Sequence, residues 1–423
     1  MERLLHYIWK HKLYSPTSLV TTEGTSVSVI DTGIGNTDAG PDFFNAKIKI
    51  GDTLWVGNVE IHNKASDWLR HHHDKDKAYD SVILHLVGVH DMAVYRTNGE
   101  LIPQALLHIP ETVRRNIDWL IHRDTSISCL PCIPKMEPVL LSSWLNALLS
   151  ERLERKTKDI LLLLERYNND WNEVFYIILT RYFGFGVNND PFESLAKSLP
   201  LRCIQKQRGS YTQIEAMLFG QAGMLKEALE CYYYRFLQQE YKFLQHKFGL
   251  SPLDSFRFKN LRMRPFCFPH IRLAQLAALW FRYDTLFSLV RDEENFESIK
   301  NLFKVVPSDY WKTHYHFQQV SAPKEKPLGE DALHTLLINV VVPMLFAYGK
   351  KHNLAEYGER AIRFLEQIPP EKNSIVSTFA HAGIPVQHAG DSQALIQLKR
   401  EYCEKKKCLY CRIGFRLLKR FHP

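Results

Sequence analysis

Long uninterrupted apolar runs are missing from this sequence, although 45% of its 423 residues are hydrophobic. The longest candidate, residues 336–347, contains Asn339 and Pro343 and falls short of the roughly 18 apolar residues of a membrane span. Residues 1–6 lack the apolar centre of a secretory signal. We therefore expect a cytoplasmic protein without a membrane partner, in which residues 336–347 form a buried helix.

A large excess of one charge is missing as well. Lys and Arg number 54 against 46 Asp and Glu, which gives a net charge of +8. This balance permits a polyanionic partner such as nucleic acid without requiring one. The sequence has no low-complexity segment and no repeat of fixed period, so it gives no support to a disordered chain or a regular solenoid.

The first 110 residues show the pattern of a small α/β unit. Apolar spacing and alternation predict a helix, three strands, a second helix and a fourth strand, at residues 2–12, 26–31, 43–50, 53–62, 66–79 and 81–89. Gly51 and Asp52 suit the turn of a hairpin. Ser66 is placed to cap the second helix at its N-terminus.

Helical spacing dominates the rest of the chain, over residues 151–167, 171–183, 214–248, 273–290, 332–348 and 354–367. At about 100–200 residues per domain, the length predicts two or three domains. We expect an α+β protein with an α/β domain, a helical domain and a helical C-terminal region with a cysteine cluster, at residues 1–125, 126–320 and 321–423.

Two carboxylates and a histidine are brought near each other by the predicted strands. Asp42 opens the second strand, and Glu60 and His62 share one face of the third because alternate side chains of a strand point the same way. Such a group can bind Mg²⁺ or Mn²⁺, which would activate water and stabilise a phosphoryl transition state. The alternative is that Asp42 ends a turn and Glu60 is solvated.

Pro41-Asp42, Glu60-x-His62 and the element order resemble the PD-(D/E)XK nuclease superfamily. That superfamily has an α-β-β-β-α-β restriction-endonuclease-like core, with an Asp at the start of the second strand and Glu-x-Lys on the third. The resemblance implies that Asp42 and Glu60 bind the metal. His62 stands where the superfamily has the Lys that positions water, so His62 or Lys64 would take this role, or the chemistry is altered or lost.

Histidines are dense after this motif. Asp67, His71, His73 and His85 are candidates for contacts with substrate phosphates. A zinc site built from His62, His71, His73 or His85 is a rival interpretation. A polar helix face in water is the third.

Five of the eight cysteines are closely spaced, as C-x₂-C and C-x₄-C-x₂-C, at Cys129, Cys132, Cys403, Cys408 and Cys411. In a reducing compartment they are thiols rather than disulfides. Four of them would hold a structural Zn²⁺ or a [4Fe–4S] cluster if the two regions meet. Burial as small apolar side chains is the alternative.

Basic and aromatic residues alternate over residues 256–265, which include Arg262 and Arg264, and residues 399–420 are rich in Lys and Arg. Such stretches suit phosphate contacts and base stacking. A solvated helix edge explains the first stretch equally well.

Nearly the whole chain is similar to a bacterial domain-of-unknown-function family, number 2851. The stretches that carry this similarity are residues 40–43, 57–62, 66–68, 82–85, 262–265 and 408–414. The similarity implies no particular activity.

We therefore predict a metal-dependent nuclease or other nucleic-acid-processing protein that hydrolyses phosphodiesters at a divalent-metal site. The alternative is a non-catalytic scaffold that binds nucleic acid or protein through a degenerate nuclease-like core. A zinc hydrolase built on the histidines is a third hypothesis.

Overall fold

The computed structural model describes residues 2–15, 19–36, 38–122 and 127–420. The chain forms two compact units. Unit 1 comprises Met1–Leu141 with Leu398–Pro423, and unit 2 comprises Ser142–Gln397. The predicted boundary between residues 125 and 126 lies outside the described residues, and the division into three domains stays a prediction.

Unit 1 is built on one mixed sheet. Within the described residues its strands are β1 (Val27–Asp31), β2 (Ile34–Gly35), β3 (Phe43–Ile50), β4 (Thr53–Lys64), β5 (Val82–Val89) and β6 (Gln104–Leu106). Their order is β1-β3-β4-β5-β6, with β2 paired to the start of β3. The β1, β3 and β4 strands are antiparallel neighbours, whereas β5 and β6 run parallel to β4.

Local sequence signals predicted β1, β3, β4 and β5, but not the short strands β2 and β6. The β3 strand spans the predicted residues and continues into β4 through Gly51, whose φ of 57° lies in the left-handed region that glycine adopts most readily. The β5 strand is buried from residue 82 to residue 87, as expected for a parallel strand covered on both faces. The α+β class is confirmed.

Helix α1 (Glu2–Lys10) packs against β4. Leu5, Ile8 and Trp9 are buried, so the apolar face of this helix packs on the sheet, as its apolar spacing predicted. Trp9 Nε1 also donates to the carbonyl oxygen of Thr32 at 3.1 Å. Burial contributes about 1.5–3 kcal/mol for each large apolar side chain, and it holds α1 on the sheet.

The predicted helix over residues 66–79 is wrong. The structure has a single turn, α2, and two 3₁₀ turns in its place, at Asp67–Arg70, His73–Lys75 and Lys77–Tyr79. His72 has a φ of 61°, and this left-handed conformation cannot continue a helix. Ser66 makes no capping hydrogen bond with its side chain, which donates instead to the Asp91 carboxylate at 2.6 Å.

Helices make up most of the remaining chain. Unit 1 contains α3 (Glu111–His122) and α18 (Arg412–Arg420). From residue 138 to residue 397 the helices are α4 (Pro138–Arg166), α5 (Trp171–Phe183), α6 (Asn189–Ser198), α7 (Leu201–Gln205), α8 (Tyr211–Gln221), α9 (Tyr232–Phe248), α10 (Pro269–Arg282), α11 (Leu286–Asp292), α12 (Phe296–Leu302), α13 (Glu330–Leu336), α14 (Val342–His352), α15 (Ala355–Gln367), α16 (Ser374–His381) and α17 (Ala389–Gln397).

Two predicted helices are each divided in two. Residues 214–248 belong to α8 and α9, and residues 273–290 belong to α10 and α11. The first division contains Gly223, whose φ of 76° reverses the chain direction after α8. The second division falls after Arg282, which ends α10.

One segment, Glu330–His352, is long and apolar enough by length and composition to cross a membrane. It joins α13 to α14 through a π-helical turn, Leu337–Val341. However, 67% of its most apolar window is buried inside the protein. Burial to this extent is typical of a core helix in unit 2. Asn339 and Pro343 had led us to expect a buried helix over residues 336–347.

Candidate functional site

A row of polar side chains crosses three neighbouring strands of the sheet. Glu60 on β4 pairs with His85 on β5, and His85 pairs with Gln104 on β6. Directly paired residues lie on the same face, and here their exposed fractions are 4%, 0% and 2%. His85 Nδ1 lies 3.2 Å from the side-chain amide nitrogen of Gln104. This face of the sheet therefore holds buried groups that satisfy one another.

His62 lies on the same face, two residues after Glu60. Its Nδ1 is 2.9 Å from His85 Nε2, and its Nε2 is 3.4 Å from Glu60 Oε1. Burial and the neighbouring histidines lower the pKa of His62 to about 2, and burial lowers the pKa of His85 to about 3. Both rings are therefore neutral near pH 7.

Two further histidines reach this point from the segment after α2. His71 Nδ1 lies 3.2 Å from His62 Nε2, and His73 Nε2 lies 3.3 Å from Glu60 Oε1. Among the described residues, the ligand atoms of His62, His71 and His73 all lie within 4.8 Å of one another. We refer to Glu60, His62, His71 and His73 as the His/Glu cluster.

The broken helix explains how His71 and His73 reach the same place. On a regular α-helix, residues two apart point about 200° from each other. The left-handed conformation of His72 lets the rings of His71 and His73 reach the same place, where His73 is buried and His71, like His72, stays exposed. His73 is then held by stacking on Tyr79, with ring centroids 3.7 Å apart.

Three separations within the His/Glu cluster are close to those between ligands of one metal ion. Zinc binds nitrogen and oxygen ligands at about 2.0–2.2 Å, so ligands at the corners of a tetrahedron lie about 3.3–3.6 Å apart. The separations above are 3.2 Å between His71 and His62, 3.4 Å between His62 and Glu60, and 3.3 Å between His73 and Glu60. Among the described residues, His62, His71 and His73 form the group that could hold a metal ion, and Glu60 Oε1 contacts two of them.

Asp42 supports Glu60 from the adjacent strand. The Asp42 backbone N–H donates to Glu60 Oε2 at 3.0 Å, while Asp42 Oδ2 accepts from the Ile61 N–H at 2.9 Å and lies 3.2 Å from His6 Nε2. Burial raises the pKa of Glu60 above its usual value in spite of its hydrogen bonds. Burial acts to lower the pKa of His6, but the Asp42 carboxylate raises it overall.

The other predicted site residues lie elsewhere. Lys64 is exposed near the end of β4. Asp67 is buried and accepts from the Lys64 N–H at 3.1 Å while pairing with Arg70 at 2.9 Å, so it holds the α2 turn. Arg262 and Arg264 are exposed in unit 2, whereas the His/Glu cluster belongs to unit 1.

The five closely spaced cysteines all belong to unit 1. Burial raises the pKa of the Cys129 thiol, and Cys411, Cys403 and Cys408 raise it further. Such charge effects weaken with distance, so the two chain regions approach each other within unit 1, although among the described residues no three of these thiols form a group within 4.8 Å. Cys132 and Cys411 are buried, and all eight cysteines are free thiols.

Sequence reasoning missed three residues that shape this site. His6 contacts Asp42 across 36 residues of chain, Gln104 ends the polar row on a three-residue strand, and Tyr79 stacks on His73. For His6 the sequence offered one signal: it lies on the first predicted helix, which is part of the nuclease-like core that the resemblance implies. Gln104 and Tyr79 carried no motif.

Comparison with known proteins gives one family match. A model of the family described as "Protein of unknown function (DUF2851)" matches residues 2–374. No curated protein and no solved structure matches the chain.

Proposed function

The chain belongs to this family of unknown function (DUF2851), and from that premise we propose that it is a metal-dependent hydrolase of nuclease type. The observation that carries the proposal is the His/Glu cluster, in which the ligand atoms of His62, His71 and His73 lie within 4.8 Å of one another and Glu60 Oε1 lies 3.4 Å from His62 Nε2 and 3.3 Å from His73 Nε2. Convergent imidazole and carboxylate groups of this kind are characteristic of metal binding.

The donor atoms favour a transition metal over magnesium. Mg²⁺ prefers an octahedral shell of oxygen ligands, and imidazole suits Zn²⁺ and its neighbours in the first transition row. Glu60 is the single carboxylate of the His/Glu cluster. We therefore propose Zn²⁺ as the first candidate metal and Mn²⁺ as the second. Mg²⁺ is the metal that the resemblance to nucleases implies.

Each residue then has a defined task. A bound divalent ion would supply Lewis-acid activation of water and of the substrate's phosphoryl oxygen. His85 Nε2 lies 2.9 Å from Nδ1 of His62 and so fixes the orientation of that ring, a supporting contact typical of metal-bound histidines. Asp42 fixes Glu60 through its backbone N–H. Asp42 would thus act through Glu60 rather than as a direct ligand.

Phosphodiesters are the proposed substrates because of the surrounding fold. The element order α1, β1, β3, β4, α2, β5 runs helix, three strands, a single helical turn in place of the second helix, and a strand, with β2 as a two-residue addition. Asp42 immediately precedes the second of these three strands, and its backbone N–H contacts Glu60 on the third. These features support a restriction-endonuclease-like core, and the net charge of +8 suits a polyanionic substrate.

A non-catalytic scaffold is the second candidate. It is favoured by the Asp42 carboxylate, which is already engaged by the Ile61 N–H and His6. On this hypothesis the chain binds nucleic acid or protein but leaves phosphodiesters intact.

A separate structural metal is proposed for the cysteines. The charges of Cys403, Cys408 and Cys411 raise the pKa of the Cys129 thiol, although Cys129 comes from a distant region of the same unit. A Zn²⁺ ion or an [4Fe–4S] cluster held by four thiolates would tie these regions together. The function of this metal would be stability and not catalysis.

The test is cleavage of single-stranded and double-stranded DNA and RNA by the purified full chain, with Zn²⁺, Mn²⁺ or Mg²⁺ added to chelator-treated protein. We expect cleavage that needs a transition metal and disappears in Glu60→Gln. His72→Asn is the matched control, because Asn tolerates the left-handed conformation and His72 lies outside the His/Glu cluster. Cleavage unchanged in Glu60→Gln, or none with any metal, would overturn the enzymatic proposal.

A further inference from the structure

Helix α9 of unit 2 has two opposite faces of different character. One face is buried and comprises Tyr234, Leu237, Tyr241 and Leu244. It packs on α8, where the Tyr241 hydroxyl donates to Gln221 Oε1 at 2.9 Å. The other face is exposed along the whole helix and comprises Tyr232, Arg235, Phe236, Gln239, Lys242, Phe243, His246 and Lys247. We refer to these exposed residues as the α9 stripe.

Three aromatic residues of the α9 stripe form one row along the helix. At about 100° of rotation per residue, Tyr232, Phe236 and Phe243 fall within about 40° of one another around the helix axis. Their exposed fractions are 85%, 37% and 59%. The rings of Tyr232 and Phe236 are parallel, with an interplanar angle of 1° and centroids 6.3 Å apart. Single exposed apolar side chains are common, but a contiguous row of them marks a binding surface.

Basic residues of the α9 stripe stand beside this row of rings. Arg235 and Lys242 lie about 80–100° from the middle of the row, both on the same side, and about 10 Å apart along the helix. Lys247 lies at the C-terminal end, with Nζ 5.8 Å from the centroid of the Phe243 ring. Among the residues that the structure describes, no ion pair involves Arg235, Lys242 or Lys247. The three positive charges are therefore available to a polyanionic partner.

No carboxylate interrupts the α9 stripe. Glu240 is the single acidic residue of the helix, and it is half-buried. Its carboxylate accepts from the side-chain amide of Gln213 on α8 at 2.9 Å, so it lies on the side of the helix that packs in unit 2. The exposed face is thus positive over a length of about 22 Å, and its charge is complementary to a row of phosphates.

These features favour single-stranded nucleic acid over a membrane surface or a duplex. A membrane-surface helix inserts its apolar face into the lipid, but the apolar face of α9 is already buried in unit 2. The bases of a duplex are stacked and paired, so a duplex would contact the cations and leave the rings uncovered. A single strand can stack its bases on the rings while its phosphates contact the cations.

We propose that the α9 stripe binds single-stranded nucleic acid, with unpaired bases on the row of rings and the backbone along Arg235 and Lys242. The inference rests on the proposed function for the class of polymer, and it adds a binding surface that belongs to unit 2, whereas the His/Glu cluster belongs to unit 1. Binding tolerates different base sequences, because every base has a flat face that can stack. The α9 stripe holds the strand and takes no part in the cleavage chemistry.

The experiment measures binding separately from cleavage. Fluorescence anisotropy follows the purified full chain binding a short phosphorothioate-linked oligothymidylate, which resists hydrolysis, and the corresponding duplex. Tyr232→Ala and Phe243→Ala should each weaken single-strand binding about 5- to 140-fold, the range for loss of one stacked base. Lys242→Gln should reduce the salt slope of binding by about 0.7, the value for one lost phosphate contact on a single strand. Alanine and glutamine are good helix formers, so α9 should persist in all three variants.

Tyr95→Ala and Lys158→Gln are the matched controls, because Tyr95 is 50% exposed in unit 1 and Lys158 is exposed within α4. We expect both controls to bind as the unaltered protein does, and the duplex to bind more weakly than the single strand. Unchanged binding in Phe243→Ala, equal salt slopes in Lys242→Gln and Lys158→Gln, or a preference for duplex would overturn the inference. Phe243-dependent binding to vesicles of phosphatidylserine and phosphatidylcholine, without binding of the strand, would overturn it in favour of a membrane.

Failure of this inference and failure of the hydrolase proposal give different results. Phe243-dependent binding of the single strand without cleavage of any normal substrate would leave the α9 stripe assigned and overturn the hydrolase proposal. Metal-dependent cleavage together with unchanged single-strand binding in Phe243→Ala would overturn the assignment of the α9 stripe alone.

Discussion

His72 and His73 are adjacent in sequence but differ completely in the structure, and this difference yields the sharpest prediction. His73 Nε2 lies 3.3 Å from Glu60 Oε1 in the His/Glu cluster, whereas His72 is exposed. We expect His73→Ala to lose tight metal binding and His72→Asn to keep it. His71→Ala should behave like His73→Ala, because His71 Nδ1 lies 3.2 Å from His62 Nε2.

The size of the loss follows from the coordination shell. Removing a partner that only orients a ligand costs about 10- to 100-fold in metal affinity. His85, which contacts His62 Nδ1 at 2.9 Å, is such a partner, so His85→Gln should fall in that range. Removing one of four ligands outright should cost more than about 100-fold, which corresponds to about 2.8 kcal/mol at about 1.4 kcal/mol for each factor of ten.

The assay is a competition titration of Zn²⁺ between the protein and a chromophoric chelator, at one pH and ionic strength for all variants. Cysteine-bound metal is counted separately, as the equivalents that remain in His73→Ala. Circular dichroism of each variant shows whether the sheet is intact. Equal Zn²⁺ affinity in His73→Ala and His72→Asn would refute the assignment of the His/Glu cluster as a metal site.

Three further predictions concern other parts of the chain. Burial raises the pKa of Glu215 from 4.5 to about 7, so the folded state binds more protons than the unfolded state between these pH values. The free energy of unfolding should therefore fall by about 3 kcal/mol as the pH rises through this window. Denaturant titrations from pH 5 to 8 should show this slope, and Glu215→Gln should lack it. Gly220→Ala should lower the free energy of unfolding by about 1–3 kcal/mol, because its Cβ would stand 2.0 Å from the Tyr241 ring. The control for thermal unfolding is Gly209→Ala, where no atom lies within 4 Å of the new Cβ. Similar melting temperatures of the two variants would contradict the prediction. Cys408→Ser should remove one bound metal, measured by elemental analysis, while leaving the metal of the His/Glu cluster in place; unchanged metal content would show that the thiols only pack.

The two strands that carry the site, β3 and β4, were predicted from local sequence patterns. Alternating side chains and the turn at Gly51 determine which residues of β3 and β4 face each other, because both signals act over a few residues. The prediction that Asp42 and Glu60 come close together followed from this register, and the structure places Asp42 directly before β3, in contact with Glu60 on β4. The helix predicted over residues 66–79 failed because polar spacing could not reveal the left-handed conformation of His72.

The sequence by itself determined the α+β class, the hairpin of β3 and β4 and the segment in which the proposed metal-binding residues lie. Only the tertiary structure decided that His71 and His73, but not His72, join Glu60 and His62, since this depends on one backbone dihedral angle and on the packing of Tyr79. It also decided that His6 pairs with Asp42. Contacts between residues far apart in sequence depend on how whole elements pack, and periodicity carries no information about them.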